Sequence, residues 1–248
     1  MEKFRIKISR DESASCPFED WDCEPDLMFE SGGWNRTITD YSKGNIVEFI
    51  KQFPSNGQII KHQKQLCEIL DIDHDYICER ELTKDEKADE IRWEITTSCS
   101  IKQLTELCEL FKIQHSNFTS TGYSQGDWAN VLIVLTDDFY EKTGCDRRNA
   151  SIILEGTEKL FDAWAWGDVY GFTVEKAIEI VKITREDFDA GKFEDVEDEL
   201  EWEDVDSCWG FYGEDVEGVA DCSGVPLEVV KDAFHYTNID KWVEYEQA

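Results

Sequence analysis

Hydrophobic and polar residues alternate in two stretches of the chain, which is the pattern of a half-buried β-strand. In "KFRIKIS" the apolar positions include Ile6 and Ile8, and charged residues stand between them. In "EIRWEITT" the alternating positions are Ile91, Trp93 and Ile95. A third stretch, "WANVLIVLT", is a continuous apolar run that favours a buried strand. "ESGGWNRTITDY" predicts a turn followed by a short strand. The pattern therefore predicts several separate strands, distributed along the chain.

Apolar residues recur every three to four positions in other segments, which is the pattern of an amphipathic helix. Four segments show it: "NIVEFIKQF", "GQIIKHQKQLCEILDI", "SIKQLTELCELFKI" and "NASIILEGTEKLFDAWAWG". Ser100 is a candidate N-cap for the third helix, and Gly167 is a candidate stop for the fourth. Strands and helices alternate without one dominating, which predicts an α+β fold.

The segment "DVYGFTVEKA" follows the aromatic end of the fourth helix. Tyr170, Phe172 and Val174 occupy alternate positions, which predicts a strand with a buried aromatic face. Gly171 lies between them and would let a neighbouring group approach the backbone closely. Whether the segment then turns into a second strand or a helix stays open. Further on, "DSCWGFYG" predicts a tight turn at the edge of the core, with an exposed aromatic anchor as the alternative.

The predicted architecture is α+β, with mixed or antiparallel sheets packed against several amphipathic helices and an acidic C-terminal region. We divide the chain into an N-terminal α+β region over 1–88 and a C-terminal α+β domain over 89–248. The polar stretch from Asp75 to Asp89 is interpreted as helix plus linker. The length of 248 residues accommodates one large domain or two small ones.

Charge restricts the partners that this chain can bind. It contains 56 Asp and Glu against 25 Lys and Arg, a formal net charge of -31. In 186–206, 12 of 21 residues are acidic, yet large apolar residues interrupt the run, so we expect a folded segment with one buried face. Such a surface disfavours direct contact with nucleic acid or anionic membrane. It favours a basic partner surface, although an acidic surface that only keeps the protein soluble remains open.

Motifs for chemistry are weak. "DIDHDY" resembles the start of a calcium loop, but Tyr76 stands at the glycine position and Leu82 at the terminal glutamate position. "GYSQGD" precedes a strand rather than a helix, so a turn is favoured over a phosphate loop. The nine cysteines form no C-x-x-C and no zinc spacing with a histidine, and no secretory signal is evident. We therefore predict reduced thiols, no metal, no cofactor and no catalytic residues.

The order of several motifs resembles a family of largely uncharacterised proteins of bacteriophages and other mobile elements. The motifs are "SRDESASCPFEDWD", "GYSQGDWANVLIV", "GDVYGF" at Gly167–Phe172 and "DSCWGFYG" at Asp206–Gly213. The chain departs from the "WDN"-like stretch at Cys23, and the resemblance is absent from about Asp40 to Glu90. It implies a viral or plasmid gene expressed in the cytoplasm of a bacterial host. It supplies no site residues.

Charge and setting together predict an inhibitor of a bacterial defence nuclease system, of anti-CRISPR or anti-restriction type. It would act without catalysis, as an acidic DNA mimic that blocks a basic nucleic-acid-binding groove. Two alternatives stay open: a non-catalytic adaptor that binds a host protein through an aromatic patch, and an enzyme dependent on a metal or on cysteine. The predicted partner-binding residues are Glu194, Asp195, Glu197, Asp198, Glu199, Glu201, Trp202, Glu203, Asp204 and Trp209.

Overall fold

A computed structural model describes residues 2–20, 25–31, 43–123, 127–182 and 197–247. The fold is α+β, as the sequence predicts, and both of its sheets are antiparallel. The chain divides into two compact units, one formed by 1–14 with 167–248 and the other by 15–166. The predicted boundary at residue 88 does not coincide with this division, because the N-terminal strand pairs with strands from the C-terminal third of the chain.

The elements are numbered in chain order. The strands are β1 (Glu2–Arg10), β2 (Asp26–Ser31), β3 (His115–Tyr123), β4 (Asp127–Val134), β5 (Val169–Lys182), β6 (Glu197–Tyr212) and β7 (Val243–Gln247). The helices are α1 (Pro17–Asp20), α2 (Lys43–Gln52), α3 (Asn56–Lys61), α4 (Gln63–Leu70), α5 (His74–Glu79), α6 (Lys84–Ser98), α7 (Ile101–Phe111), α8 (Asp137–Thr143), α9 (Ala150–Trp166), α10 (Val216–Ser223) and α11 (Leu227–Phe234).

A four-stranded antiparallel sheet forms the first unit, in the order β6-β5-β1-β7. The helices α10 and α11 lie on one face of it. That face is apolar because alternate residues of β1 and β5 are apolar, and Ile6 and Ile8 are fully buried there together with Phe172. Val219 of α10 packs into the same core. The predicted strand with a buried aromatic face is confirmed.

The second unit packs its helices around a three-stranded sheet in the order β2-β4-β3. The central strand β4 is the predicted apolar run, and its residues Val131 to Val134 are all fully buried. Its core also contains α2, α6 and α7, which contribute Ile46, Ile91 and Leu104. Ser100 caps α7 by accepting a hydrogen bond from the Gln103 backbone N–H, as predicted.

The single helix predicted for "GQIIKHQKQLCEILDI" is two helices, α3 and α4, which meet at His62. Two other predicted segments have a different type of secondary structure. "EIRWEITT" is not a strand but the second half of α6, in which Ile91 and Ile95 are buried while Trp93 is 65% exposed. A spacing of four residues places Ile91 and Ile95 on the same helix face, and a capping box between Thr83 and Glu86 begins the helix.

The second difference is "DSCWGFYG", which is not a tight turn but part of β6. Gly210 lies in the left-handed region at φ +89° and accommodates a β-bulge within the strand. Residues 124–126 of "GYSQGD" and residues 183–196 before β6 lie outside the described residues.

Candidate interaction surface

The predicted acidic residues lie on the edge strand of the four-stranded sheet. Of the ten predicted partner-binding residues, Glu194 and Asp195 lie outside the described residues, and the other eight belong to β6. We call residues 197–206 of β6 the acidic strand. Seven of these ten residues are Asp or Glu. Among the described strands β6 pairs with β5 alone, so it is the edge strand of its sheet.

The acidic strand extends beyond the body of its sheet. The pairing of β5 with β1 ends at Lys176, whereas the pairing of β5 with β6 continues to Lys182 and Glu197. The far part of the acidic strand therefore belongs to a two-stranded arm. At a rise of about 3.4 Å per residue, the acidic strand is about 34 Å long. One strand of duplex DNA has about one charge per 3.4 Å, so the acidic strand has about 70% of that linear charge density.

The carboxylates of Asp204 and Asp206 project to opposite sides of the sheet. Residues paired in register share a face, so Asp206, opposite the buried Val174, points to the helix side. Asp204, opposite Glu175, points to the other side. Glu203 and both of these aspartates are exposed, and within the described part of the chain they form no ion pair. Their negative charge is therefore available to a partner.

The expected burial of one side of this segment is not seen in its described part, residues 200–206, and the rest of 186–206 lies outside the residues whose side chains are described. Leu200 and Val205 are both more than half exposed, and Trp202 is only half-buried. Val205 lies at an irregularity of the ladder between Val174 and Glu175 of β5, where β6 contains one residue more than its partner strand. Apolar side chains are thus interspersed with carboxylates on an exposed edge, rather than packed beneath them.

Opposite the helices, the sheet has a second face, which we call the open face and which includes Arg5, Glu175, Trp202 and Trp209. Arg5 lies between two indole rings, with its Cζ atom 4.3 Å from the centroid of Trp202 and 4.3 Å from that of Trp242. Its Nε donates to the Glu175 carboxylate at 2.5 Å. Two indole rings and one carboxylate thus hold the Arg5 guanidinium on this side of the sheet.

Trp209 is the most exposed tryptophan of the open face, at 51%. It is paired with Gly171, and its ring lies directly on that residue, so that a Cβ at position 171 would be 2.1 Å from a ring carbon. The predicted close approach at Gly171 is thereby confirmed. The bulge at Gly210 follows at once and sets the direction of the strand beside the ring. Trp209 is thus held by the backbone beneath it while one side of the ring remains accessible.

The sequence reasoning missed Arg5, Glu175 and Trp242 as members of this surface. The alternation of "KFRIKIS" was informative for its apolar positions, but the same alternation places Lys3, Arg5 and Lys7 together on the opposite face. Lys7 pairs with Asp240 at 3.2 Å. No local signal could indicate that Trp202 and Trp242, forty residues apart, would stack on one guanidinium, because that depends on the strand order.

The eight cysteines that the structure describes form no disulfide with one another, and four of them are buried. Burial raises the pKa of Cys99 to about 11 and that of Cys108 to about 12, which keeps both thiols neutral.

Cys78 Sγ lies 3.3 Å from His74 Nε2 on the short helix α5. Asp73 of "DIDHDY" caps that helix by accepting from the Asp75 and Tyr76 backbone N–H groups, which accounts for this acidic turn. Within the described ranges, no three His, Cys, Asp or Glu side chains are grouped to hold a metal ion.

Comparison of the chain with family models, with curated proteins and with solved structures yields no match. In the part of the chain that the structure describes, no helix combines the length and the apolar character needed to cross a membrane.

Proposed function

We propose that this protein inhibits a basic nucleic-acid-binding protein by presenting the acidic strand in place of DNA. The observation that supports the proposal is the exposure of Glu203, Asp204 and Asp206 on an edge strand whose pairing with β5 continues past the end of the β1 pairing. Such a strand fits a groove lined by Lys and Arg, where the carboxylates replace phosphates and long-range attraction speeds association.

The class of target is a bacterial defence nuclease, of restriction or CRISPR type, acting in the cytoplasm of the bacterial host. This part of the proposal rests on the resemblance of "GDVYGF" and "DSCWGFYG" to proteins of mobile elements. Nucleases of these systems have basic channels for duplex DNA or for RNA–DNA hybrids. A protein that occupies such a channel needs no catalytic residue, metal or cofactor.

The test is inhibition of DNA cleavage by purified restriction endonucleases and CRISPR effector complexes, with two charge-reversal variants of the full chain. The acidic-strand variant is E201K/E203K/D204K/D206K. The matched surface variant is E68K/E81K/E109K/E141K, which changes four exposed carboxylates of the other unit. Each reversal adds two charges, so both variants have a net charge of -23.

We expect the wild-type protein and the surface variant to inhibit cleavage, and the acidic-strand variant to bind the same nuclease about tenfold or more weakly. Binding of the wild-type protein should also weaken steeply as NaCl is raised. Equal inhibition by the two variants, or affinity that is independent of salt, would contradict DNA mimicry.

A second candidate function is an adaptor that binds a host protein through an aromatic patch. The observation that favours it is Trp209, which is held on Gly171 with one side of its ring exposed. For an adaptor, Trp209→Ala should weaken binding more than the acidic-strand variant does. Trp93→Ala, at a tryptophan with 65% exposure in the other unit, is the control.

A further inference from the structure

Two cysteines meet where α10 packs on β6. Cys208 is paired with Phe172, whose ring is fully buried beneath the helices, so the Cys208 side chain points to the helix side of the sheet. On α10, Val219 is fully buried in the same core, and Cys222 follows three residues later on the same side of the helix. α10 packs on β6 at this point, and the nearby Cys208 thiol is one of the groups that raise the pKa of Cys222.

This pair is more accessible than the buried thiols of the other unit. Cys222 is exposed and Cys208 is half-buried, so a small oxidant reaches the pair from solvent. Cys99 and Cys108 are buried in the core of the other unit. Cys78 and Cys145 are exposed, but the nearest polar partner of Cys78 is an imidazole. A thiol in contact with a second thiol is what an intramolecular disulfide requires.

We propose that Cys208 and Cys222 form a redox-active pair, which hydrogen peroxide converts into an intramolecular disulfide. The Cys222 thiol loses its proton, and the thiolate sulfur attacks one oxygen of peroxide. The O–O bond breaks, a sulfenic acid forms, and the departing hydroxide takes up that proton and leaves as water. Cys208 then attacks the sulfenic sulfur, the S–S bond forms, and a second water leaves. In total, two thiols and one hydrogen peroxide give one disulfide and two waters, and peroxide accepts the two electrons.

The surroundings of the pair make this reaction slow at neutral pH. Burial raises the pKa of Cys222, and the hydrogen bond to Cys208 and the charges of Cys208 and Asp206 act in the same direction. The thiolate fraction is therefore small at neutral pH and increases under mildly alkaline conditions. The disulfide would covalently tie β6 to α10. Cys208 Sγ also contacts the Trp209 carbonyl oxygen at 3.8 Å. The disulfide would therefore form next to the backbone of Trp209, the residue with the exposed indole.

The test is mild oxidation of the folded, full-length protein at about pH 8.5, after removal of reductant, with about one equivalent of hydrogen peroxide. We expect the intact mass to fall by about 2 Da and two thiols to become unreactive, both reversed by a reductant. Non-reducing proteolysis should yield one linked peptide pair that contains Cys208 and Cys222. Circular dichroism before and after oxidation checks that the protein remains folded.

Two variants make the result specific. C78S/C145S, which removes two other exposed cysteines, should form the linked peptide as fast as the wild-type protein. C222S should lose the linked peptide, and Cys208 should stay reduced because it is half-buried. The proposal is overturned if the wild-type protein gains oxygen without linking these two cysteines, or if peroxide links other cysteines in preference to them.

Discussion

Gly171 is the residue that makes the exposed indole of Trp209 possible, because a side chain there would occupy the space of the ring. We predict that Gly171→Ala destabilises the protein by about 1–3 kcal/mol, since the new methyl group must displace Trp209. Urea unfolding followed by circular dichroism measures the effect. The control is Gly156→Ala on α9, where a new Cβ meets nothing within 4 Å and alanine favours the helix, so stability should stay the same or rise.

A double variant separates the clash from other effects of losing the glycine. In G171A/W209A the ring is absent, so most of the loss caused by G171A should disappear. If G171A costs nothing, or if W209A does not relieve it, the ring is not held against the backbone as the structure shows.

The sequence correctly predicted one local contact of this surface, the close approach of another group to Gly171. Gly171 was expected to permit a close approach, and the structure identifies the approaching group as Trp209. The partner could not be foreseen, because the Gly210 bulge shifts the register by one residue and so decides which side chain of β6 lies opposite Gly171.

At the scale of elements, Arg5 connects three strands through side chains. It lies on β1, contacts Trp202 of β6, and stacks on Trp242 immediately before β7. We predict that Trp202→Ala and Trp242→Ala each destabilise the protein by about 1–2 kcal/mol, because each removes one aromatic face from a shielded guanidinium. Trp93→Ala, at a tryptophan with no such stacking, should change stability by less than about 0.5 kcal/mol.

A conservative variant tests whether the stack or only the charge matters. Arg5→Lys keeps the positive charge beside Glu175 but loses the flat guanidinium, so it should cost as much as removing one ring. Unfolding in urea is again the measurement. If R5K is as stable as the wild-type protein, the ion pair with Glu175 accounts for the interaction and the rings contribute little.

The predicted elements were correct where one periodicity was clear and wrong where two fitted. The β4 run and the α7 stripe each match a single pattern. In contrast, Ile91 and Ile95 are four residues apart, a spacing compatible with either a strand or a helix. Thr83, eight residues upstream, decides in favour of the helix by starting α6. The exposure of Trp93 shows that its apparent alternation with the isoleucines was coincidental.

For the whole molecule, the division into units could not be derived from composition along the chain. The C-terminal sheet takes its second inner strand, β1, from the N-terminus, so the first unit is discontinuous in sequence. A division based on neighbouring sequence places residues 1–14 in the same domain as the residues that follow them. Only long-range pairing, such as that of Ile6 with Val174, reveals that they belong with β5.

The net charge of -31 has a consequence for stability as well as for binding. Like charges repel in the folded state, and salt screens that repulsion over about 10 Å at 0.1 M. We predict that raising NaCl from about 20 mM to about 500 mM stabilises the protein by at least about 1 kcal/mol, a rise in melting temperature of about 2–4 °C. A melting temperature that stays constant or falls would show that favourable ion pairs outweigh the repulsion.

The two charge-reversal variants locate that repulsion. Neighbouring carboxylates of the acidic strand are closer together than the screening length, so their mutual repulsion is strong and local. The acidic-strand variant should therefore melt higher than the wild-type protein at low salt and respond less to added NaCl, while the surface variant, with the same net charge, should gain less. If both variants gain equally, the repulsion is spread over the whole molecule. A gain confined to the acidic-strand variant would mean that this strand lowers the stability of the folded protein, which is the cost expected if its carboxylates serve the proposed binding to a basic partner.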